Sequence, residues 1–364
     1  MPFPHHRRRW HRLCFAAGAM SEQIINIIDD EEPFFPEEEN GKPRKLDALL
    51  RCGCAVRGEL RRRLHALLKN LKISPPPAWF MASNCHAGNA YDDLWLAAAA
   101  APLPALIADT GFGDFTRQLF QNRFLRDYDV FARQDAAAIR PEFRDAGLVD
   151  PFGLQRVFGA NVEVMLIDDA RLNGRPAPRV WEDILHPRWR GEIITSGSPN
   201  DLFDALLFAT YRDFGESGLT ALGANIGGFM HPAEMARLCG SDSPRAGTIY
   251  LLPAFFAAAA PRKERARVFW PEDGAWLTPQ YYLRQNGANA AADTVANFLT
   301  GAEWAARLDA LALVPARAGS APLPGKLRWV GWDFVRNHDL EALRPRLNAA
   351  FAKGTATASA VVGG

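Results

Sequence analysis

The chain has 364 residues, of which 48% are hydrophobic and 23% are charged, so it is long enough to bury a full core and to form more than one domain. Its formal net charge of +1 gives no general attraction to nucleic acids or acidic lipids, and no apolar run approaches the roughly 20 residues that a membrane-spanning helix needs. Composition therefore predicts no nucleic-acid partner.

The N-terminal segment can be interpreted in two ways. Residues 13–19 form a short, mildly apolar stretch after a basic one, which is the minimum for a secretory signal. Met20 begins a segment that is typical of a protein start. We therefore favour translation from Met20 and a cytoplasmic location, with a periplasmic protein as the alternative. The acidic, proline-containing residues 20–45 are predicted to form a mobile arm.

Strands and helices are predicted to alternate along the rest of the chain. Leucines on one stripe predict an amphipathic helix over 59–72, and the three prolines that follow end it. Strands are predicted at 79–82, 105–108, 162–167, 192–195, 248–252 and 267–270. Helices are expected between them, with a last helix over 340–351. Repeated strand–loop–helix units of this kind indicate parallel sheets with crossover connections.

Polar loops follow several of these strands and supply the candidate ligand contacts, because α/β proteins bind ligands outside the carboxyl ends of parallel strands. The selected residues are Ser83, Asn84, Cys85, His86, Thr110, Gly111, Ser196, Gly197 and Ser198. The last group has an alternative interpretation. Ser198 and Asp201 fit a capping box at the start of a helix, with Pro199 at its first position.

A second hypothesis concerns a metal site. Cys52 and Cys54, together with Cys85 and His86, offer ligand types for zinc or an iron–sulfur cluster. The C-x-C spacing is a weaker signal than C-x-x-C, and nothing in the sequence places residue 52 near residue 85. The leading hypothesis therefore includes no cofactor, and a metal or cluster remains the alternative. The five cysteines form no obvious disulfide framework.

Two motifs resemble those of a known family. Residues 181–193 read Trp-Glu-Asp-Ile-Leu-His-Pro-Arg-Trp-Arg-Gly-Glu-Ile and are similar to the pattern W-x-D-L-x-x-P-x-W-x-G-x-I. Residues 268–275 read Val-Phe-Trp-Pro-Glu-Asp-Gly-Ala and are similar to v-x-x-P-x-D-G-A. On these motifs the chain resembles the solute-binding proteins of ABC transporters, in the group of ferric-ion, polyamine and thiamine binders. The similarity covers roughly residues 78–335.

The resemblance implies an α/β protein of the type 2 periplasmic-binding-protein fold, with two Rossmann-like lobes joined by a two-strand hinge and a helical N-terminal extension. The expected parts are an N-terminal arm and helix (1–77), a discontinuous first lobe (78–167 plus 271–335), a second lobe (168–270) and a C-terminal helix with a flexible tail (336–364).

The implied function is capture of a small polar or charged solute, or an ion, by lobe closure without catalysis. A transporter permease is the implied partner, and a monomer is expected. Asp273, in the second motif, would lie at the rim of the cleft, although it also suits a turn. Tyr281 and Tyr282 are similar to the paired tyrosines that bind ferric ion in part of the family. They stand at a different place in the chain, so burial in a strand is the better interpretation.

Overall fold

The computed structural model describes residues 44–82, 89–126 and 129–362, with side chains except at Cys54 and 358–362. The described residues group into two compact units. Unit 1 comprises the described part of Met1–Ala138 with Val149–Gly159 and Gln280–Leu308. Unit 2 comprises Ile139–Leu148, Ala160–Pro279 and the described part of Asp309–Gly364.

Strands and helices alternate in both units. The strands are β1 (Ala48–Arg51), β2 (Trp79–Ala82), β3 (Leu106–Thr110), β4 (Arg156–Asp168), β5 (Ile193–Thr195), β6 (Gly197–Ser198), β7 (Asp201–Leu202), β8 (Ile226–Phe229), β9 (Ile249–Pro253), β10 (Ala266–Phe269), β11 (Ala275–Arg284), β12 (Val314–Pro315) and β13 (Leu327–Arg328). The α-helices are α1 (Cys54–Lys69), α2 (Gln118–Phe124), α3 (Pro141–Asp145), α4 (Asp204–Asn225), α5 (Pro232–Leu238), α6 (Ala254–Ala258), α7 (Ala290–Leu299), α8 (Ala302–Ala310), α9 (Trp332–Asn337) and α10 (Leu340–Val362). Short 3-10 turns occupy Leu94–Leu96, Asp114–Thr116, Trp181–Leu185 and Pro187–Trp189. Across these described segments, none of the helices combines the length and the apolar character that a membrane span requires.

In unit 1 the strands are ordered β2-β1-β3-β11. Strand β1 is parallel to both β2 and β3, and β11 is antiparallel to β3. An apolar core that includes Leu49, Phe80, Ile107 and Phe115 covers one face. Strand β1 was not predicted from the sequence, because a four-residue apolar run beside a helix has no periodicity of its own.

In unit 2 the strands are ordered β4-β9-β5-β8. Strand β9 is antiparallel to β4 and parallel to β5, and β5 is parallel to β8. Strand β10 is antiparallel to β4. Residues of α5 and α6 belong to the apolar core on one face of this sheet, where Val164, Tyr250 and Leu252 are buried. Both β4 and β11 contain a boundary between the units, as expected for a two-strand connection.

The predicted domain boundaries stay a prediction, but the contacts group some segments differently. Residues 139–148 and 309–335 belong to unit 2, although the sequence analysis placed both in the first lobe. The predicted N-terminal part also supplies β1, which lies between β2 and β3 of the unit 1 sheet. The predicted mobile arm lies almost wholly outside the described residues.

The segment 198–201 was predicted to begin a helix, and that prediction is wrong. The residues form instead the hairpin of β6 and β7. Gly197 has a φ of 113°, which residues with a side chain rarely adopt, and a Cβ there would lie 2.3 Å from the carbonyl oxygen of Asp201. Pro199 therefore lies in the hairpin turn, and α4 begins only at Asp204.

Candidate functional site

The parallel strands β1, β2 and β3 end at one edge of the unit 1 sheet, where an α/β protein is expected to bind ligands. The register of β1 with β3 pairs Leu50 with Ala108, and the next residues along the two strands are Arg51 and Asp109. The register of β3 with β11 places Asp109 opposite Tyr281. Because residues opposite each other share one face of a sheet, Arg51, Asp109 and Tyr281 form a line across three strands, here called the polar row.

Arg51 is held by carboxylates on neighbouring loops. Its Nη1 lies 2.5 Å from Asp114 Oδ2, and its Nη2 lies 3.8 Å from Asp92 Oδ1. The guanidinium carbon is 5.1 Å from the ring centre of Phe115, within the range of a cation–π contact. Burial lowers the pKa of Arg51, but the carboxylates of Asp109 and Asp114 outweigh it, so the pKa is raised. The positive charge in the polar row is therefore permanent and already has two partners.

Asp109 is a buried carboxyl group whose hydrogen bonding is incomplete. The residue is 3% exposed, and its Oδ1 accepts a hydrogen bond of 2.8 Å from the backbone N–H of Thr110. Its Oδ2 has no hydrogen-bond partner in the described part of the chain. Burial raises the pKa of Asp109 to about 6, although the charge of Arg51 lowers it. The backbone of Phe115, in the turn after β3, also lowers this pKa, so the carboxylate interacts with this turn as well.

Tyr281 and Gln155 extend this incomplete set. Both are buried, and burial raises the pKa of Tyr281 well above its usual value, so the phenol stays protonated. Gln155 lies beside the Tyr281 hydroxyl and lowers that pKa, but the geometry falls short of a hydrogen bond. Among residues 44–82, 89–126 and 129–362, neither the hydroxyl nor either amide atom of Gln155 finds a partner. Native proteins contain few such buried atoms.

Thr110 and Gly111 directly follow Asp109 at the end of β3. The Thr110 hydroxyl is buried and makes no hydrogen bond to any described residue. Gly111 has a φ of 74°, so the chain turns away from the strand at a position that favours glycine. The other residues predicted for this region, Ser83, Asn84, Cys85 and His86, lie outside the described residues. Ligand contact by any of these six stays a prediction.

In unit 2 the parallel strands β5, β8 and β9 end at Thr195, Phe229 and Pro253, on one edge of the sheet. The predicted residues Ser196, Gly197 and Ser198 follow Thr195 and are half-buried. Because they belong to a hairpin and not to a helix N-terminus, they cannot offer the free amide groups of a first helical turn. Their contact with a ligand also stays a prediction.

Glu163 lies at the same edge, on β4 opposite Pro253. It is 1% exposed, and its Oε1 has no partner in the described part of the chain. Burial raises the pKa of Glu163 to about 8, with no charged neighbour contributing. Most Glu163 side chains are therefore uncharged carboxylic acids at pH 7.

The two motifs of the sequence analysis meet in unit 2. The rings of Trp181 and Trp276 stack with their centres 3.9 Å apart and their planes 2° from parallel. Trp181 Nε1–H donates to the carbonyl of Gly274 at 2.8 Å, and Trp276 Nε1–H donates to Asp213 Oδ2 at 3.0 Å. Each ring therefore combines burial with a satisfied polar edge, as buried tryptophans require.

Asp273 belongs to this arrangement, here called the tryptophan cluster (Trp181, Asp213, Asp273, Trp276 and Arg328). Its Oδ1 accepts a hydrogen bond of 3.3 Å from the backbone N–H of Trp181, and its Oδ2 lies 2.7 Å from Arg328 Nη1. Arg328 Nε lies 3.2 Å from Asp213 Oδ2. These contacts give Asp273 a structural role, and its predicted contact with a ligand stays a prediction.

The structure gives the metal hypothesis no support within the described residues. No three histidine, cysteine, aspartate or glutamate side chains gather there as metal ligands. Cys52 is buried, and burial raises the pKa of its thiol to about 12, whereas a metal ligand must be a thiolate. Cys85, His86 and the side chain of Cys54 lie outside the described part.

A family model described as bacterial extracellular solute-binding protein matches residues 101–338, which is more than half of the chain. The chain belongs to this family. No curated protein sequence matches the chain. Membership confirms the predicted resemblance and the predicted role in solute binding.

Solved structures confirm the predicted fold class. The Bordetella ferric binding protein is 16% identical, with 84% of this chain and 99% of that chain covered and a TM-score of 0.60. An ABC transporter from Clostridium perfringens is 12% identical, with coverage of 85% and 100% and a TM-score of 0.59. The apo ferric ion-binding protein A of Pasteurella haemolytica is 13% identical, with coverage of 87% and 98% and a TM-score of 0.56. At such identities the similarity establishes the two-lobed α/β fold alone.

The expectation of a cytoplasmic protein is wrong, because the family is extracellular. That expectation rested on Met20 as the start of translation, on the short apolar stretch of residues 13–19 and on the absence of a disulfide framework. None of these features separates the compartments reliably. A short stretch of moderate hydrophobicity is a weak signal in either direction, and many proteins outside the cytoplasm have no disulfide.

Four buried or half-buried polar residues of these edges were not among the predicted site residues: Arg51, Asp109, Gln155 and Glu163. One signal was available for Asp109, since an acidic residue near the end of the apolar run 105–108 is unusual for a buried strand. Arg51 ends a strand that was itself not predicted. Nothing local distinguishes Gln155 or Glu163 from ordinary polar residues.

Proposed function

We propose that the protein captures one small polar solute, releases it chemically unchanged and supplies it to an ABC transporter permease. Membership in the extracellular solute-binding family, over residues 101–338, is the observation that carries the proposal. Each unit supports it by placing polar side chains at the carboxyl edge of its parallel strands, the usual position for ligands in α/β proteins. In this proposal the protein works as a monomer.

Capture would follow the mechanism of the resembled fold, in which two lobes close on the solute about a hinge. The strands β4 and β11 are the candidates for the hinge, since each contains a unit boundary. Binding energy would come from hydrogen bonds at the two edges and from the water that the solute displaces. A binding protein of this kind needs no general acid, general base or nucleophile.

Native mass spectrometry of protein purified from its own host tests the proposal. A molecule retained at one copy per chain should be released by mild denaturation with a mass that does not change during prolonged incubation. Small-angle scattering should show a smaller radius of gyration when the released molecule is added back. Conversion of the molecule to a product would indicate an enzyme, and an unchanged radius would contradict closure.

A further inference from the structure

The exposed side of α1 and of the connection that follows it is strongly basic. Residues 54–77 contain six arginine or lysine residues and a single acidic residue, Glu59. The apolar stripe of the helix is buried, whereas Arg62, Lys69 and Lys72 are exposed and are here called the basic face. Like charges that lie close together along a helix repel one another. An acidic partner on this face would remove the repulsion.

The acidic residues near the basic face already have partners. Glu59 lies 2.8 Å from Arg63 and 2.5 Å from Arg307, and Arg63 also pairs with Glu303. Within the part of the chain that the structure describes, the three side chains of the basic face form no ion pair. The described residues therefore do not neutralise this face.

An acidic segment precedes α1 in the sequence. Residues 29–39 read Asp-Asp-Glu-Glu-Pro-Phe-Phe-Pro-Glu-Glu-Glu, with seven carboxyl groups and no basic residue, and are here called the acidic segment. The segment lies outside the described residues, which begin at Arg44. Its charge is opposite to that of residues 54–77 and similar in size. Complementary charge of this kind steers two surfaces together and fixes their pairing.

The position of Arg44 shows where the acidic segment joins the described structure. Arg44 Nη2 donates to the carbonyl of Pro76 at 3.3 Å. Two further hydrogen bonds hold the next residues of the chain at the same place: Ala78 N–H donates to Asp47 Oδ2 at 2.7 Å, and Asp47 N–H donates to Ala78 O at 2.6 Å. The acidic segment is therefore attached beside the connection that follows Lys72.

The distances allow the segment and the face to meet. Glu39 is five residues before Arg44, and an extended chain of that length spans about 17 Å. Lys69 and Arg62 are seven residues apart on α1, which corresponds to about 10 Å along the helix axis. A segment attached this closely has an effective concentration in the millimolar range, so a few weak ion pairs are enough to hold it.

An exposed apolar side chain lies at the same end of the face. Ile73, next to Lys72, is 38% exposed and is one of five large apolar side chains with such exposure in the described ranges. The acidic segment carries Phe34 and Phe35 between its two runs of carboxyl groups. Contact of either ring with Ile73 would bury apolar surface in addition to forming the ion pairs.

We propose that the acidic segment 29–39 docks on the basic face of α1, with residues 37–39 against Lys69 and Lys72. Part of the arm that was predicted to be mobile is then held against unit 1. Because α1 follows β1, its C-terminal end lies away from the edge of the sheet where β1 ends. Docking at this end therefore leaves that edge open and is independent of solute capture.

Zero-length cross-linking of the whole chain tests the contact directly. A carbodiimide joins a carboxyl group to a lysine amine only where the two touch. Mass spectrometry of the digested monomer should find links from residues 37–39 to Lys69 or Lys72. These links should be lost at about 1 M salt, where the Debye length is about 3 Å. Links to Lys326 or Lys353 in their place would overturn the proposal.

Charge reversal with a matched control gives the second test. The rate of limited chymotrypsin cleavage after Phe34 reports whether the segment is held. The double variant Lys69→Glu and Lys72→Glu should raise this rate about three- to tenfold, as expected for the loss of two or three exposed ion pairs. The control Lys326→Glu with Lys353→Glu makes the same change in net charge at two exposed lysines of unit 2 and should leave the rate unchanged.

Further outcomes separate docking within one chain from other partners of the basic face. Replacing residues 37–39 by lysine in the double variant should restore slow cleavage, because the charges are then exchanged. An unchanged cleavage rate in the double variant would overturn the proposal. So would cross-links formed only between two chains, or binding of the wild type to phosphatidylglycerol vesicles through Lys69 and Lys72. Native mass spectrometry tests solute capture separately, so either proposal can fail without the other.

Discussion

The tryptophan cluster of unit 2 and the polar row of unit 1 contrast in how they use their polar atoms. In the cluster, the indole N–H groups and the carboxylates of Asp213 and Asp273 contact partners within unit 2. In the row, Asp109 and Tyr281 each keep a buried polar atom without a partner among the described residues. The cluster includes residues of both family motifs, whereas no residue of the polar row belongs to either motif.

This contrast separates the residues that identify the family from those that would determine the ligand. One fold can host many different ligands, so the contacts that stabilise the fold do not identify the ligand. Polar atoms without internal partners add nothing to stability, so a ligand is the simplest reason for their presence. The residues that determine the solute are therefore to be sought outside the matching motifs.

The largest expected effect is on the stability of the tryptophan cluster. Trp181 is fully buried, stacks on Trp276 and donates one hydrogen bond, so Trp181→Ala should lower the free energy of unfolding by about 3–5 kcal/mol. Urea titration followed by circular dichroism measures the change. Trp95→Ala, at a half-buried tryptophan of unit 1, should cost less than half as much. Equal losses of stability would show that the cluster contributes no more than a half-buried tryptophan elsewhere.

Periodicity and strand–loop–helix order were enough to predict much of the fold. Strands β2, β3, β5 and β9 lie within two residues of their predicted positions, because each is a compact apolar run bounded by polar or turn-forming residues, whereas β4 begins six residues before its predicted start. The helix predicted at Ser198 failed for a physical reason. A Ser-x-x-Asp pattern suits a helix start and also a hairpin turn, and the hydrogen bond from Leu202 N–H to Asn348 Oδ1 forms only in the tertiary structure.

The polar row could not be predicted in the same way. Arg51 and Tyr281 lie far apart in the sequence and come together only through the pairing of β1, β3 and β11. Burial and missing partners, which make Asp109 a candidate, are properties of the folded chain. Local sequence indicates where a strand ends, but it does not show which other strands end beside it.

Glu163, in unit 2, is a second buried carboxyl group with an unpaired oxygen, and it predicts that stability depends on pH. The pKa of Glu163 rises from an ordinary value of 4.5 to about 8 on folding, so the folded chain binds one more proton than the unfolded chain between these values. Its contribution to stability is therefore lost as pH rises through this range. Glu163→Gln removes the dependence, and its stability relative to wild type should rise by about 1–3 kcal/mol between pH 5 and pH 8. Thermal unfolding of the variant and the wild type at pH 5 and pH 8 measures this change. An equal stability difference at the two pH values would contradict an uncharged Glu163 in the folded chain.

A smaller effect is expected at Asp273, which belongs to the cluster but was predicted to contact the ligand. Asp273→Ala removes the acceptor of Trp181 N–H and one partner of Arg328, and it should cost about 1 kcal/mol, since the ion pair is partly exposed. Urea titration gives the cost, and calorimetry with the retained molecule gives the affinity. If stability were unchanged and the affinity fell more than tenfold, Asp273 would be a ligand contact and not a structural residue.

The smallest expected effect, measured without solute, is a change in stability of opposite sign when each of two neighbouring tyrosines is replaced. Tyr281→Phe removes a buried hydroxyl that no described residue contacts by a hydrogen bond, so stability should stay the same or rise by up to about 1 kcal/mol. Tyr282→Phe removes the donor to Gln134 and should lower stability by about 0.5–1 kcal/mol. Differential scanning calorimetry of both variants resolves the signs. If both variants were destabilised equally, the Tyr281 hydroxyl would have a hydrogen-bond partner within the protein. The polar atoms of the row would then be paired internally, as those of the tryptophan cluster are.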